Sequence, residues 1–461
     1  MISYANSVKN RPIFAERAQN DAAGNEIGRT YATKAEVPTV DQTYDATSTN
    51  AQSGVAVAQA IAAIPQTGGG SDEWWSDPGV VWVNARVLRL QFKDTTFDPR
   101  NDPDSSFLAK FTSITKVSDG VFDLEFKDED SLYYQAFSHK YQADKEFIIV
   151  AFNYYNAGVW RSMGQMFSGC TGLRAVYNFG LQGISNGTEA PSMFSNCTNL
   201  VYFSMQNNAP LNNAFDLSHM FNGCSSLREC NMCLTCNSSN VVNTTYRMFL
   251  NCKKLVHGAY IACGINDARE MFAFCNNLVG SCLTTATNLV NGMLPETNCN
   301  AQRMYSGCYS LQYVDIDFVL INRFSRIDEM FTNCVSIQSI PQLKLGSSVN
   351  ADYAFDGCRN LQNLPVLDYG SITSATLMFY MCYGLKDIST LATVTWNASL
   401  ASVSEMFEKC YAIETGLLAV YTNMANTATI STHFNTFTDC GVAYSNPDLA
   451  QIPSAWGGGG A

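Results

Sequence analysis

Three cysteines spaced three apart, Cys230, Cys233 and Cys236, form the run with the most evident chemical potential, because thiolates so placed ligate zinc or an iron–sulfur cluster. No fourth ligand follows at suitable spacing. Cys230 also takes the apolar place three residues after Leu227, as Val176 does after Leu173, so the run reads as part of a hydrophobic stripe. Gly183-Ile184-Ser185-Asn186-Gly187 matches the serine-hydrolase elbow, which needs a strand before it and a helix after it; here it falls in a loop between repeats. The four histidines, His139, His219, His257 and His433, stand in no zinc-protease or similar pattern, so zinc hydrolysis and histidine acid–base chemistry have no visible host in the sequence. Asp98, Asn101, Asp102 and Asp104 could offer oxygen ligands to Ca²⁺, but Pro99 and Pro103 among them favour a solvated turn. No phosphate-cradling glycine motif and no placeable carboxylate pair for glycan cleavage occurs. The expectation is a non-enzyme with no catalytic residue, metal or cofactor.

The chain that carries these groups has 461 residues, more than one compact core normally organises, so several modules or a repeat array are expected. It is 46% hydrophobic and 15% charged, enough apolar side chain to exclude wholesale disorder. A net charge of −12 without any dense Lys/Arg run argues against a nucleic-acid partner. No stretch of about 18 apolar residues is present, which argues against membrane insertion, and the first residues lack the apolar core of a secretory signal. Seventeen cysteines in a chain expected to be made in a reducing compartment then need another explanation than disulfides.

The explanation is a repeat. Met-Phe, two residues, Cys, two residues, Leu recurs from Met166-Phe167 with Cys170 and Leu173, through Met193 with Cys197 and Leu200, and Met220 with Cys224 and Leu227. Further copies are anchored by Cys252, Cys275, Cys308, Cys334, Cys358, Cys382 and Cys410, and a degraded one by Phe437 and Cys440. The intervals run from 23 to 33 residues, the range of leucine-rich repeats. Met, Cys and Leu at i, i+4 and i+7 predict a short helix pointing all three inward. An apolar residue three places after the Leu, as in Leu311 to Val314 or Leu385 to Ile388, predicts a brief strand. One such unit cannot cover its own apolar face, whereas stacked units cover one another. Cys, small and readily buried, suits an axial ladder of reduced thiols, so the expected repeat core is Cys170, Cys197, Cys224, Cys252, Cys275, Cys308, Cys334, Cys358, Cys382 and Cys410. The fold class expected is an α/β repeat, a leucine-rich-repeat solenoid.

Met193-Phe194-Ser195-Asn196-Cys197-Thr198-Asn199-Leu200 and Ala354-Phe355-Asp356-Gly357-Cys358-Arg359-Asn360-Leu361 resemble the BspA-like leucine-rich repeats of bacterial surface antigens. The resemblance covers about residues 161–445 and implies a binding or adhesion role. The missing secretion signal departs from that family's pattern and puts an ordinary cell-surface location in doubt.

Residues 1–65 differ in character, being polar and rich in Ala, Thr and Asn. Val57, Ile61 and Ile64 recur at the spacing of a short coiled-coil seam, which predicts an extended, partly coiled-coil stalk and self-association, a homotrimer or dimer. Tyr31-Ala32-Thr33-Lys34-Ala35-Glu36-Val37-Pro38 and Tyr44-Asp45-Ala46-Thr47-Ser48-Thr49-Asn50-Ala51-Gln52-Ser53-Gly54-Val55-Ala56-Val57-Ala58 are similar to the N-terminal attachment region of bacteriophage fibre proteins, head fibres in particular. That resemblance implies a virion protein, made in the host cytoplasm with its thiols reduced and released by lysis, whose partners include capsid or other virion proteins.

Gln66-Thr67-Gly68-Gly69-Gly70-Ser71 opens a flexible linker over 66–79. The alternation in Val87-Leu88-Arg89-Leu90-Gln91-Phe92, Val121-Phe122-Asp123-Leu124-Glu125-Phe126 and Phe147-Ile148-Ile149-Val150 predicts a β-rich cap over 80–160, and 446–461 forms a C-terminal tail. Tyr177, Tyr202, Tyr313, Tyr383 and Tyr411, set among Asn, Gln and Ser, are the expected receptor face, since aromatic planes beside neutral hydrogen-bonders suit a glycan or a polar protein surface. The expected function is a phage head fibre displaying an adhesive repeat domain, with a tail fibre or a bacterial cell-surface adhesin as the alternatives.

Overall fold

The computed structural model describes residues 87–460 except 128–134, 141–146, 153–162, 180–189, 206–214, 236–240, 263, 282–296, 315–321, 341 and 428. The stalk with Val57, Ile61 and Ile64, the linker, and the Gly183–Gly187 pattern lie outside the described residues.

The chain opens on β1 (Val87–Phe92), β2 (Phe111–Ser118), β3 (Val121–Phe126) and β4 (Phe147–Phe152). It continues with β5 (Ala175–Phe179), β6 (Tyr202–Met205), β7 (Phe215–Asp216), β8 (Glu229–Asn231), β9 (Cys233–Thr235) and β10 (Val241–Thr244). Then come β11 (Tyr260–Ala262), β12 (Gly264–Asp267), β13 (Gly280–Ser281), β14 (Thr297–Asn300) and β15 (Tyr313–Val314). The last are β16 (Asn322–Arg326), β17 (Leu345–Asn350) and β18 (Ile372–Ser374).

One sheet has the order β2-β3-β1-β4-β5-β6-β8. Its first strands, expected as strands from their alternating apolar residues, pair antiparallel, and from β4 onward every pair is parallel. A second, wholly parallel sheet runs β18-β17-β16-β14-β12-β10-β7. Strands of the first sheet follow the Leu of a coil and those of the second precede the Met, the later coils keeping only isolated bridges on the first side, and the fold is a mostly parallel β-solenoid with few helices.

The helix expected at each Met-Phe-x-x-Cys is absent from the described coils. A run of tight turns stands there instead, with two residues of left-handed conformation per turn, such as Ser192 and Asn196, or Glu329 and Asn333. The reason lies in the amides. Those of Met193, Ser195 and Cys197 bond back within the coil to Ala190, Ser192 and Phe194, while those of Ser192, Phe194 and Asn196 reach Ser218, Met220 and Asn222 of the next coil. The left-handed residues turn alternate amides sideways, so inter-coil pairing continues where an α-helix would consume every amide internally. Left-handed non-glycine residues cost roughly 1–2 kcal/mol each, which these bonds and the packing offset. Inward-facing Met, Cys and Leu at i, i+4 and i+7 fit this turn as well as a helix, and the three types are buried throughout the described coils.

The same turn already exists at Gln135–Lys140, with left-handed Gln135 and His139 and with Phe137 bonded to the Met166 carbonyl. A solenoid coil therefore lies inside the segment expected to be only a cap. Lys140 holds the place of the cysteine there, so the motif is unreadable in sequence. At that end Lys140 Nζ lies 4.1 Å over the Phe107 ring and 3.3 and 3.2 Å from Asp102 and Asp104.

Candidate functional site

The interior is built from two axial ladders. The aromatic after each Met stacks on its counterpart in the next coil, from Phe137–Phe167 at 5.2 Å to Phe407–Phe437 at 5.9 Å between centroids, with Tyr305 taking the place of Phe between Phe272 and Phe331. Beside it, each cysteine thiol donates to the carbonyl of the aromatic one coil back: Cys170 to Phe137 at 3.1 Å, Cys224 to Phe194 at 3.0 Å, Cys308 to Phe272 at 3.0 Å and Cys410 to Phe379 at 3.1 Å. Cys197, Cys252, Cys275, Cys334, Cys358 and Cys382 do the same. Burial raises the pKa of every one of these thiols, that of Cys197 to about 12, so each keeps the proton it donates. Thiols of this kind are unreactive and belong to the scaffold. Cys230 is buried in β8; Cys236 lies outside the described residues.

Among the described residues no group of three or more His, Cys, Asp or Glu is placed to hold a metal ion. The acidic loop is used otherwise: Asp98 accepts from the Arg100 backbone and side chain, and Asp104 caps a short helical turn through the amides of Ser106 and Phe107. His219 lies 3.2 Å from Asn222 through Nδ1, and His433 stacks on Trp456 at 4.1 Å. Among the described residues no helix is long and apolar enough to cross a membrane.

The five tyrosines expected to form a receptor face divide into two groups. Tyr383 and Tyr411 follow ladder cysteines at one corner, stacked at 5.1 Å with Arg359 over Tyr383. Tyr177 and Tyr202 belong to the first sheet, and Tyr313 to β15, which pairs with β13 and continues that sheet through isolated bridges at His257. Tyr177 and Tyr202 meet at 5.3 Å with rings tilted by 41°, and burial raises both phenolic pKa values.

Parallel register links Tyr202 to Glu229, Glu229 to His257, His257 to Gly280 and Gly280 to Tyr313. These five positions form one outward row, because the next residues in the same strands, Phe203, Cys230 and Val314, point into the core. Tyr313 is 39% exposed, and its ring lies over Gly280, where a Cβ would collide with Cζ and Oη of the phenol. Asn231 donates to Tyr202 Oη at 3.4 Å, and burial raises the Glu229 carboxyl pKa.

No family model and no curated protein matches this chain. The reading of the surface rests on its own geometry. Glu229, His257 and Gly280 carry no motif that sequence reasoning could single out; only the strand register makes them neighbours of Tyr202 and Tyr313.

Proposed function

We propose that the protein is a structural fibre component of a bacteriophage virion, a head fibre, whose solenoid engages a bacterial surface glycan or protein. The observation that carries this reading is the unbroken inner ladder from Phe137 to Phe437, which supports a long outer wall of repeated strands rather than a single cleft. The similarity of residues 31–38 and 44–58 to phage attachment regions supports the virion setting. The seam at Val57, Ile61 and Ile64 supports a homotrimeric stalk docked on capsid proteins. On this reading the chain is not an enzyme; it is built in the host cytoplasm and exposed on the particle. The Met/Ala-Phe-x-x-Cys-x-x-Leu repeat favours a second reading, a leucine-rich-repeat adhesin of the bacterial cell surface, and a tail fibre is the variant of the first.

Mass spectrometry of purified particles tests the proposal, with antibody labelling to distinguish capsid from tail. Recovery of the chain from particles is expected. Its recovery only from bacterial envelopes would reject the virion setting.

A further inference from the structure

From the outer row of the first sheet we infer a binding strip for an extended, uncharged polysaccharide, running along the solenoid axis from Tyr202 to Tyr313 across Glu229, His257 and Gly280. The inference deepens the adhesive reading above and rests on it for its biological setting.

Three features carry it. The first is the Tyr313 ring, which lies across the Gly280 strand, one coil from its own, and is 39% exposed. A glycine in that strand permits the ring to approach the backbone closely, an arrangement that any larger residue would prevent. A phenol lying on a sheet offers an apolar plane beside a polar edge, which suits the C–H face of a pyranose.

The second is the spacing. Five in-register positions span four strand separations of about 4.8 Å, roughly 19 Å in all, so binding groups recur along the axis at a repeat close to the rise of one sugar in an extended chain. A polymer of repeating units fits that periodicity; a folded protein surface does not. The row also offers only side chains, since the backbone groups between its strands are already bonded to one another, so a peptide cannot add itself as a strand here.

The third is charge and polarity between the aromatic ends. Glu229 accepts hydrogen bonds from hydroxyls, while the amide of Asn231 and the imidazole of His257 supply further polar contacts. With a carboxylate in the row, and a chain of net charge −12 around it, a polyanion is repelled.

Affinity electrophoresis of the full chain tests the strip, in native gels containing hydroxyethylcellulose, yeast mannan, polygalacturonate or gelatin. One of the two neutral polysaccharides is expected to retard the protein. Tyr202→Ala, Tyr313→Ala and Gly280→Ala are each expected to weaken that retardation about tenfold, the scale of one lost aromatic contact. Gly280→Ala is the sharpest variant: Gly280 has no left-handed backbone to disturb, and the obstructing group is the far end of an exposed side chain, so the methyl displaces the ring and leaves the fold. Its unchanged melting temperature checks this, and Tyr313→Ala serves if it melts early. Tyr444→Ala, an exposed tyrosine outside the row, is expected to bind as the parent does.

No retardation by either neutral polymer, retardation only by polygalacturonate or gelatin, or undiminished binding by both Gly280→Ala and Tyr313→Ala would overturn the inference. The virion reading fails separately. A chain absent from particles but sensitive to Gly280→Ala keeps the strip, and a chain present on particles but indifferent to it keeps only the fibre.

Discussion

The thiol of Cys224 donates to the carbonyl oxygen of Phe194, one coil away, at 3.0 Å, and that same oxygen accepts the amide of Cys197 at 3.1 Å. The repeated cysteine is therefore more than a small apolar filler. It supplies a buried donor for the second lone pair of a carbonyl that turns away from solvent, without the desolvation cost of a hydroxyl or an amide.

Replacing Cys224 by Ala removes that donor and leaves a sulfur-sized gap, so unfolding free energy is expected to fall by about 1–2 kcal/mol, a lost hydrogen bond plus a small cavity term. Cys224→Ser, whose hydroxyl reaches the same carbonyl, is expected to lose less. Urea titration with an unchanged m value reads both. Equal midpoints for Ala and the parent would show that the thiol bond contributes nothing.

Asp356 gives the stability a pH dependence. Burial, with the Glu329 carboxylate nearby, raises its pKa from 3.8 to about 6, so the folded chain holds this proton more tightly than the unfolded chain does. Its contribution is fully present below pH 3.8 and is lost as pH rises through about 6. Asp356→Asn, which cannot ionise, is expected to melt higher than the parent at pH 8 and level with it at pH 3.5. A difference of the same size at both values would assign the effect to packing instead.

Much of this architecture was legible in the sequence, and the reasons for the rest are physical. The spacing of Met166, Phe167, Cys170 and Leu173 announced a stacked coil, and Val87–Phe92 announced a strand, because burial imposes a period on sequence. The turn and a helix look alike in sequence, since inward positions at i, i+4 and i+7 are common to both and only the left-handed residues separate them. Those positions hold Ser192, His219, Arg247, Glu270 and Leu377, types without a shared signature. The strands before the Met are not legible because some, such as Phe215–Asp216 and Ile372–Ser374, are two or three residues long, and the longer Asn322–Arg326 and Leu345–Asn350 lack a steady apolar alternation. The row from Tyr202 to Tyr313 was half legible: the tyrosines stood out, whereas Glu229, His257 and Gly280 joined them only through register.

Neighbouring coils constrain one another at the left-handed corner. Gly169 has φ +71°, and a Cβ there would collide with the imidazole of His139, the equivalent residue one coil back. Gly169→Ala is expected to cost more than the roughly 1–2 kcal/mol of an ordinary left-handed alanine, and the pair His139→Ala with Gly169→Ala to recover the excess. A double-mutant cycle by thermal unfolding measures the coupling. Strict additivity would place the strain in the backbone alone.

The C-terminal tail closes the stack. Trp456 lies 6.4 Å from the Phe437 ring at 27°, its carbonyl accepts the Phe437 amide at 2.9 Å, and His433 stacks on its other neighbour surface at 4.1 Å. Without it the last rung of the aromatic ladder faces water, and a solenoid loses stability from an uncovered end inward. Trp456→Ala is accordingly expected to speed amide exchange first in residues 429–445, next around Phe407, and not at Phe194. Hydrogen–deuterium exchange read by peptide follows that order. Uniform acceleration along the chain would mean that the coils unfold as one unit, with Trp456 contributing only its own burial.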